Sequence, residues 1–198
     1  MKRRIFLFLV AFAVSTLPLH AAPIVFSTTL TGPNEEPPNA SPATGFAIVT
    51  IDEITHMMRV EVSFAGLVAP NTAAHIHVIN GPGDANTADT LGPVATTTPT
   101  FTGFPSGTTS GVFDNTFNMT LASSYRTGWI TDSGGTTALA ESMLFGGISG
   151  GRAYLNIHST TYPGGEIRGF LQPVPEPASL LLLGSGLAAF LRSRRRRQ

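Results

Sequence analysis

The fold is decided by an alternating stretch near the middle of the chain, MMRVEVSF at Met57–Phe64. Every second residue from Met58 onward is apolar, and the positions between them carry polar side chains such as Arg59 and Glu61. A strand directs successive side chains to opposite faces of a sheet, so one face of this stretch is buried and the other is solvated. This pattern is typical of an antiparallel sheet.

Similar short runs lie on both sides of this stretch, and Gly-Pro and Pro-Pro pairs separate several of them. The other expected strands are Ile24–Leu30, Gly45–Ile51, Ala73–Ile79, Gly111–Leu121, Gly151–His158 and Gly165–Leu171. We also expect a short helix at Thr137–Phe145 and a long polar loop at Asn80–Ser110. About seven strands in ~150 residues predict an all-β fold, a Greek-key antiparallel β-sandwich.

The charges of the 198-residue chain are unevenly distributed, although they sum to zero. Arginines and a lysine concentrate at the two ends, and the stretch from about residue 23 to 172 carries four arginines against eleven acidic residues, a net charge of −7. An acidic domain without a basic stripe does not suit nucleic acid, so we expect no nucleic-acid partner. The chain has no cysteine, which excludes disulfides, thiolate nucleophiles and sulfur-ligated metals.

The N-terminus has the order of a secretory signal peptide. A basic start at Lys2–Arg4 precedes the apolar run Ile5–Leu17, and Ala21 and Ala22 supply small residues for cleavage. We therefore expect a signal helix over residues 1–22 that is removed after Ala21 or Ala22. The alternative is an uncleaved N-terminal anchor, although the run is shorter than the ~20 residues of a typical spanning helix.

The C-terminus combines a proline-rich hinge, a short apolar run and an arginine cluster. Prolines prevent a helix from extending backwards, so a hydrophobic helix is expected over Ala178–Leu191, about 21 Å long at ~1.5 Å per residue. This is short for a hydrocarbon core of ~30 Å, but the arginines that follow can snorkel to the surface. Their charge is expected to keep that end cytoplasmic, so that the body of the protein faces outward.

This C-terminal order closely resembles the PEP-CTERM sorting signal. The residues that carry the resemblance are Pro175, Glu176, Pro177, Arg194, Arg195, Arg196 and Arg197. The resemblance implies processing by an exosortase, transient anchoring in the inner membrane, a Gram-negative type of bacterial envelope and delivery to the surface or the extracellular matrix. The alternative is a plain C-terminal anchor. With these ends set apart, we expect domains at residues 1–22, 23–172 and 173–198.

The chemical lead is a small set of histidines. His75 and His77 lie two apart on an expected strand, so both rings share one face, and His158 ends a second strand. Imidazole nitrogens suit copper or zinc, so these three are candidate metal ligands, with Arg168 and Glu166 as candidate residues behind them. The alternative is that the three rings are buried hydrogen-bonding groups.

The body of the chain resembles the CHRD domain, a module first named from chordin, across about residues 26 to 171. The matching motifs are Leu30–Pro38, Ala43–Ala47, Gly66–Leu67, Ala74–His77, Ala153–Thr160 and Pro163–Gly169. The resemblance implies an immunoglobulin-like or dismutase-like sandwich, and it attaches no general activity to the module.

The order of the histidines is also similar to that of copper/zinc superoxide dismutase. His75-Ile76-His77, Gly83-Asp84, His158 and Arg168 stand in the corresponding sequence. No histidine lies between His77 and His158, and the cysteines are missing, so the resemblance implies at most a copper-only or vestigial site rather than dismutase activity.

No catalytic signature such as Gly-x-Ser-x-Gly or a phosphate loop occurs, and we expect a non-enzymatic protein. The first hypothesis is a surface-sorted binding or matrix module that contacts exopolysaccharide or a surface protein in a biofilm. The second is a copper-binding or redox domain that uses His75, His77 and His158. The third is a purely structural adhesion module.

Overall fold

A computed structural model describes residues 22–85 and 90–175. Of the residues assigned to signal cleavage and sorting, Ala22 and Pro175 lie within these ranges, and the others lie outside the described residues. Both expected terminal helices also fall outside them. Among the helices in residues 22–85 and 90–175, none is long and apolar enough to cross a membrane.

The described part of the chain is mostly β, which confirms the all-β prediction. Its strands are β1 Ile24–Thr31, β2 Thr44–Asp52, β3 Met57–Ala65, β4 Asn71–Val78, β5 Gly111–Asn118, β6 Ala153–Ser159, β7 Ile167–Phe170 and β8 Gln172–Pro173. The first seven coincide with the expected strands to within a few residues. The short β8 was not expected from the sequence.

The strands form one curled antiparallel sheet in the order β4-β6-β7-β1-β2-β3-β5, and β8 pairs with β1. β4 and β5 therefore lie at opposite ends of the sheet although they are consecutive in the chain. The hydrogen-bond path is continuous, so the arrangement as two facing sheets of a sandwich stays a prediction.

The interior of the sheet contains the alternating apolar residues on which the fold prediction rests. In the β2–β3 pair Val49 lies opposite Val60, and in the β3–β5 pair Val62 lies opposite Phe113. These residues share one buried core with Ile76 from the other end of the sheet. Burying one such side chain contributes about 1.5–3 kcal/mol, so the repeated pattern over five strands commits the chain to this register.

Two helices follow β5, at α1 Thr127–Asp132 and α2 Thr137–Ser149. α2 confirms the expected helix and extends it by one turn, whereas α1 was not expected. The Thr136 side chain caps α2 by accepting a hydrogen bond from the Leu139 amide at 3.3 Å. The buried Trp129 of α1 donates its indole N–H to the carbonyl of Ala140 at 3.0 Å and so joins the two helices.

The segment between β4 and β5 is irregular, as expected for a long loop, but its described part is packed against the sheet. Ala95 and Phe101 are fully buried. Isolated bridges pair Val94 with His77 and Thr100 with Ala74, so the segment covers the free edge of β4. This cover supplies backbone carbonyls to the face of β4 that carries the histidines.

Candidate metal centre

The histidine cluster, defined as His75, His77 and His158, lies on one face of the β4–β6 pair. His75 and His77 occupy alternate positions of β4, and their neighbours Ala74 and Ile76 point into the core with no exposed surface. Across the pair, His158 of β6 lies opposite residue 73 of β4. The topology thus brings together side chains that are more than eighty residues apart.

The three rings converge through their Nε2 atoms. The candidate ligand atoms of the cluster all lie within 4.8 Å of one another, and Nε2 of His75 is 3.0 Å from Nε2 of His158. The ring of His75 lies between the other two, with centroid distances of 4.7 Å to His77 and 4.8 Å to His158. The structure therefore assembles all three predicted ligands in one place.

Each ring is oriented by a hydrogen bond from its other nitrogen. Nδ1 of His75 lies 3.0 Å from the carbonyl of Pro99, and Nδ1 of His158 lies 2.9 Å from the carbonyl of Pro163. Nδ1 of His77 makes the same kind of contact to the carbonyl of Gly92. A carbonyl oxygen only accepts, so Nδ1 carries the proton in all three rings and Nε2 presents a lone pair.

This tautomer leaves Nε2 of each ring with a lone pair. Nε2 of His77 is buried without a hydrogen-bond partner, and the Nε2 atoms of His75 and His158 face each other as two acceptors. Unpaired buried acceptors cost free energy, and a cation between the rings would remove that cost. Metal–nitrogen bonds of about 2.0–2.1 Å place neighbouring ligand nitrogens about 3.3–3.5 Å apart, so the cluster fits a metal ion after small rotations.

Protons do not supply that cation near neutral pH. Burial, reinforced by repulsion from the other two rings, lowers the pKa of His75 to about 3. Burial also lowers the pKa of His77 to about 4 and lowers the pKa of His158. All three rings are thus neutral at pH 7, which is the state that binds a metal.

Asn156 is a fourth residue of the site that the sequence reasoning missed. It is buried, lies two residues before His158 on β6, and pairs with His75 across the two strands. Its Oδ1 is 3.1 Å from Nε2 of His158, which is a contact between two acceptors while Nδ1 of that ring carries the proton; exchanging the amide oxygen and nitrogen would make it a hydrogen bond from the Asn156 N–H₂. The amide is also near enough to His77 to offset part of the lowering of its pKa, but it makes no well-formed hydrogen bond to Nε2 of that ring. The signal was present as Asn-x-His, two positions apart on one strand.

Arg168 lies behind the cluster, separated from it by Tyr154. The Tyr154 ring is stacked on His77 with centroids 4.7 Å apart and planes 7° apart. The guanidinium of Arg168 lies over the Tyr154 ring, 4.8 Å from the ring centroid. Arg168 also donates to the carbonyl of Thr90 at 3.1 Å and lies 3.8 Å from the Glu35 carboxylate.

The carboxylate of Glu166 makes its hydrogen bonds to residues outside the histidine cluster. Its Oε1 accepts hydrogen bonds from the Ser41 hydroxyl at 2.7 Å and from the Val68 amide at 2.8 Å. These bonds tie the carboxylate to the segments that precede β2 and β4. Asp84, the acidic residue that the dismutase resemblance singled out, accepts a hydrogen bond from the Asn80 amide at 2.7 Å.

These features define an antiparallel β domain with a three-histidine centre on one face of its sheet. The chain belongs to the CHRD domain family, whose model matches residues 26–171. Residues 173–197 match the PEP-CTERM protein-sorting motif, so this is an exported, surface-sorted protein that exosortase processes during sorting. The resemblances to the CHRD domain and to the PEP-CTERM signal are thereby confirmed. Comparison with curated proteins and with solved structures found no significant match.

Proposed function

We propose that this CHRD domain is a copper-binding module that holds the ion through the Nε2 atoms of His75, His77 and His158. The observation that carries the proposal is the contact of each Nδ1 atom with a backbone carbonyl, which leaves Nε2 of each ring free to bind a metal ion. Three backbone carbonyls accept hydrogen bonds from the Nδ1 atoms, and one candidate ligand nitrogen from each ring lies within 4.8 Å of the other two. Outer-shell hydrogen bonds of this kind are characteristic of metal-ligating histidines.

The donor set favours copper over other divalent metals of the first transition row. The cluster of potential ligands in the described residues contains histidines only, without a carboxylate or thiolate. Imidazole suits copper, zinc, iron and nickel, and copper binds most tightly to a given nitrogen site. Surface sorting places the domain where it meets extracellular copper, so its role is to bind the ion outside the cell.

The test is a metal titration of the full chain, purified in detergent, by calorimetry with copper and zinc. The proposal expects one copper ion per chain in the unaltered protein and loss of that binding in the double variant His75→Ala/His77→Ala. His56→Ala is the matched control, because His56 lies in the turn between β2 and β3 and pairs with Glu141 at 2.9 Å. Equal binding by the double variant, or none by the unaltered protein, would contradict the proposal.

A second candidate is the non-enzymatic matrix role that the sorting signal suggested, with exopolysaccharide or a surface protein as the partner in a biofilm. The outer face of the β2–β3–β5 sheet favours it, because Phe46 and Val112 are 45% and 80% exposed there. They border a shallow groove of about 560 Å³ that also includes Ser63. Pull-down with exopolysaccharide of the host should then weaken in Phe46→Ser/Val112→Thr and persist in a triple His→Ala variant.

A further inference from the structure

We infer that the centre is selective for Cu(I) over Cu(II) and Zn(II), and that the neutral amide of Asn156 maintains this selectivity. The inference rests on the proposed copper site and adds the oxidation state of the ion. It follows from the charge of the groups around the convergence point of the histidine cluster, from the neighbouring arginine and from the number of ligands.

The donors contribute no negative charge. Nδ1 of each histidine keeps its proton and donates it in a hydrogen bond to a backbone carbonyl, so each ligand is a neutral imidazole. The next polar group, the Asn156 amide, is neutral as well and lies 3.1 Å from Nε2 of His158. The complex with Cu(I) therefore carries a net charge of +1, whereas the complex with Cu(II) or Zn(II) carries +2. The desolvation cost of a buried charge rises with the square of that charge, so the divalent ions are penalised more heavily.

The nearest charged side chain in the stack increases this difference. The guanidinium of Arg168 lies 4.8 Å from the Tyr154 ring, which in turn stacks at 4.7 Å on His77. Its positive charge repels a divalent ion more than a monovalent one. Glu35, 3.8 Å from Arg168, balances this charge only in part, because burial raises the pKa of its carboxyl to about 7.

The number of strong donors agrees with the charge argument. Three imidazole nitrogens complete a trigonal shell for Cu(I), whose filled d shell imposes no square-planar preference. Cu(II) prefers tetragonal coordination by nitrogen and oxygen, and Zn(II) takes a fourth ligand. Within the described residues, the fourth group at this point is the Asn156 amide, a weak donor without charge, so Zn(II) would have to complete its shell with water.

Asn156→Asp is the decisive substitution, since it replaces the amide by a carboxylate of the same shape at the point where the Nε2 atoms converge. Asn118→Asp is the matched control. Asn118 is exposed at the end of β5, and its Oδ1 accepts a hydrogen bond from the Thr120 amide at 2.9 Å, a role that a carboxylate also fills. The control therefore adds the same charge far from the cluster.

The experiment measures the affinities of the full chain in detergent for Cu(I), Cu(II) and Zn(II) separately, by competition with chromophoric chelators. Cu(I) is handled without oxygen. We expect the unaltered protein and Asn118→Asp to bind Cu(I) more tightly than either divalent ion. In Asn156→Asp, the ratio of divalent to Cu(I) affinity should rise at least about tenfold, because a unit charge about 4 Å away favours the more highly charged ion.

Two results would overturn the inference while leaving the copper site in place. One is histidine-dependent binding in which the unaltered protein prefers a divalent ion, and the other is an unchanged affinity ratio in Asn156→Asp. Failure of the site itself looks different, since then no ion binds, or binding survives His75→Ala/His77→Ala. Circular dichroism shows whether Asn156→Asp folds. If it does not fold, the ion preference of the unaltered protein alone decides whether the inference stands.

Discussion

Nε2 of His75 and Nε2 of His158 face each other across β4 and β6 at 3.0 Å, and both atoms are acceptors when Nδ1 of each ring carries the proton. Their Nδ1 atoms donate hydrogen bonds to the carbonyls of Pro99 and Pro163. Moving the proton of either ring from Nδ1 to Nε2 would therefore break one of these hydrogen bonds. This contact is unfavourable in the absence of a metal ion, and the proposed copper ion would relieve it. Ligand binding and fold stability are therefore coupled at this point.

The first prediction concerns metal and stability. Adding Cu(I) at about 100 times its dissociation constant should stabilise the fold by roughly 2.7 kcal/mol, because only the folded state assembles the cluster. For a domain of this size, that corresponds to a rise in Tm of about 5–10 °C. Differential scanning calorimetry with and without the ion measures it. His75→Ala/His77→Ala should show no rise, and an equal rise in that variant would place the metal elsewhere.

The second prediction separates stability from binding. In His158→Gln, the Gln amide N–H₂ reaches the position of Nε2 and can donate to Nε2 of His75, so the repulsion in the apo protein disappears. The lost hydrogen bond to Pro163 offsets this gain, and the free energy of unfolding should change by less than about 1 kcal/mol. The stabilisation by Cu(I) should vanish. Chemical denaturation with and without the ion tests both parts, and a large loss of apo stability would contradict the account.

The third prediction concerns acid stability. Burial lowers the pKa of His75 from about 6.5 to about 3, so the unfolded chain takes up a proton as the pH falls below ~6.5 while the folded protein does not. Stability contributed by the neutral ring is thus lost between pH ~6.5 and ~3, by about 3 kcal/mol at pH 4, which is ~2.5 units below the pKa in the unfolded chain at ~1.4 kcal/mol per unit. Urea denaturation of the apo protein should show this loss.

The control for the acid experiment is His75→Gln, which removes the titrating ring at similar size. The difference between the two proteins is the quantity to follow, because Glu35 acts in the opposite direction. Burial raises the pKa of Glu35 to about 7, so its contribution is lost as the pH rises through that value. Identical pH profiles for the two proteins would show that His75 is not buried as a neutral ring.

The strand that carries His75 and His77 was predictable because alternation alone fixes which side chains share a face. The CHRD motifs also located His158 correctly. The tautomers were not predictable, since they depend on the carbonyls of Gly92 and Pro99, which lie in a segment without periodicity. In that segment, contacts with β4 rather than local pattern determine the path of the chain.

Asn156 and Tyr154 escaped notice for a different physical reason. On β6, Leu155 and Ile157 alternate with Tyr154, Asn156 and His158, so these three share one face, but neither an amide nor a phenol is a usual ligand of copper or zinc. The helix α1 was missed because Thr127 and Gly128 are poor helix formers. It forms because the buried Trp129 anchors it to α2, which is tertiary packing overriding local propensity.

The last prediction tests whether the helix layer positions the metal ligands. Gly147 of α2 is buried directly against Val78, the last residue of β4 and the neighbour of His77. A Cβ at Gly147 would lie well inside van der Waals contact with Cγ1 of Val78. Gly147→Ala should therefore displace the end of β4, at a cost of about 1–3 kcal/mol, and should weaken copper binding by shifting the ring of His77. Thermal unfolding and metal titration of the variant measure both effects.

Gly146→Ala is the control, because it makes the same substitution one position earlier in the same helix. A Cβ at Gly146 meets nothing within 4 Å, so the change should stabilise the helix by roughly 0.5–1 kcal/mol through propensity alone. Copper affinity should then stay at the level of the unaltered protein. If Gly147→Ala lowered the Tm but left the copper affinity unchanged, the ring of His77 would be held by its bond to Gly92 and its stacking on Tyr154 rather than by the packing of α2 on β4.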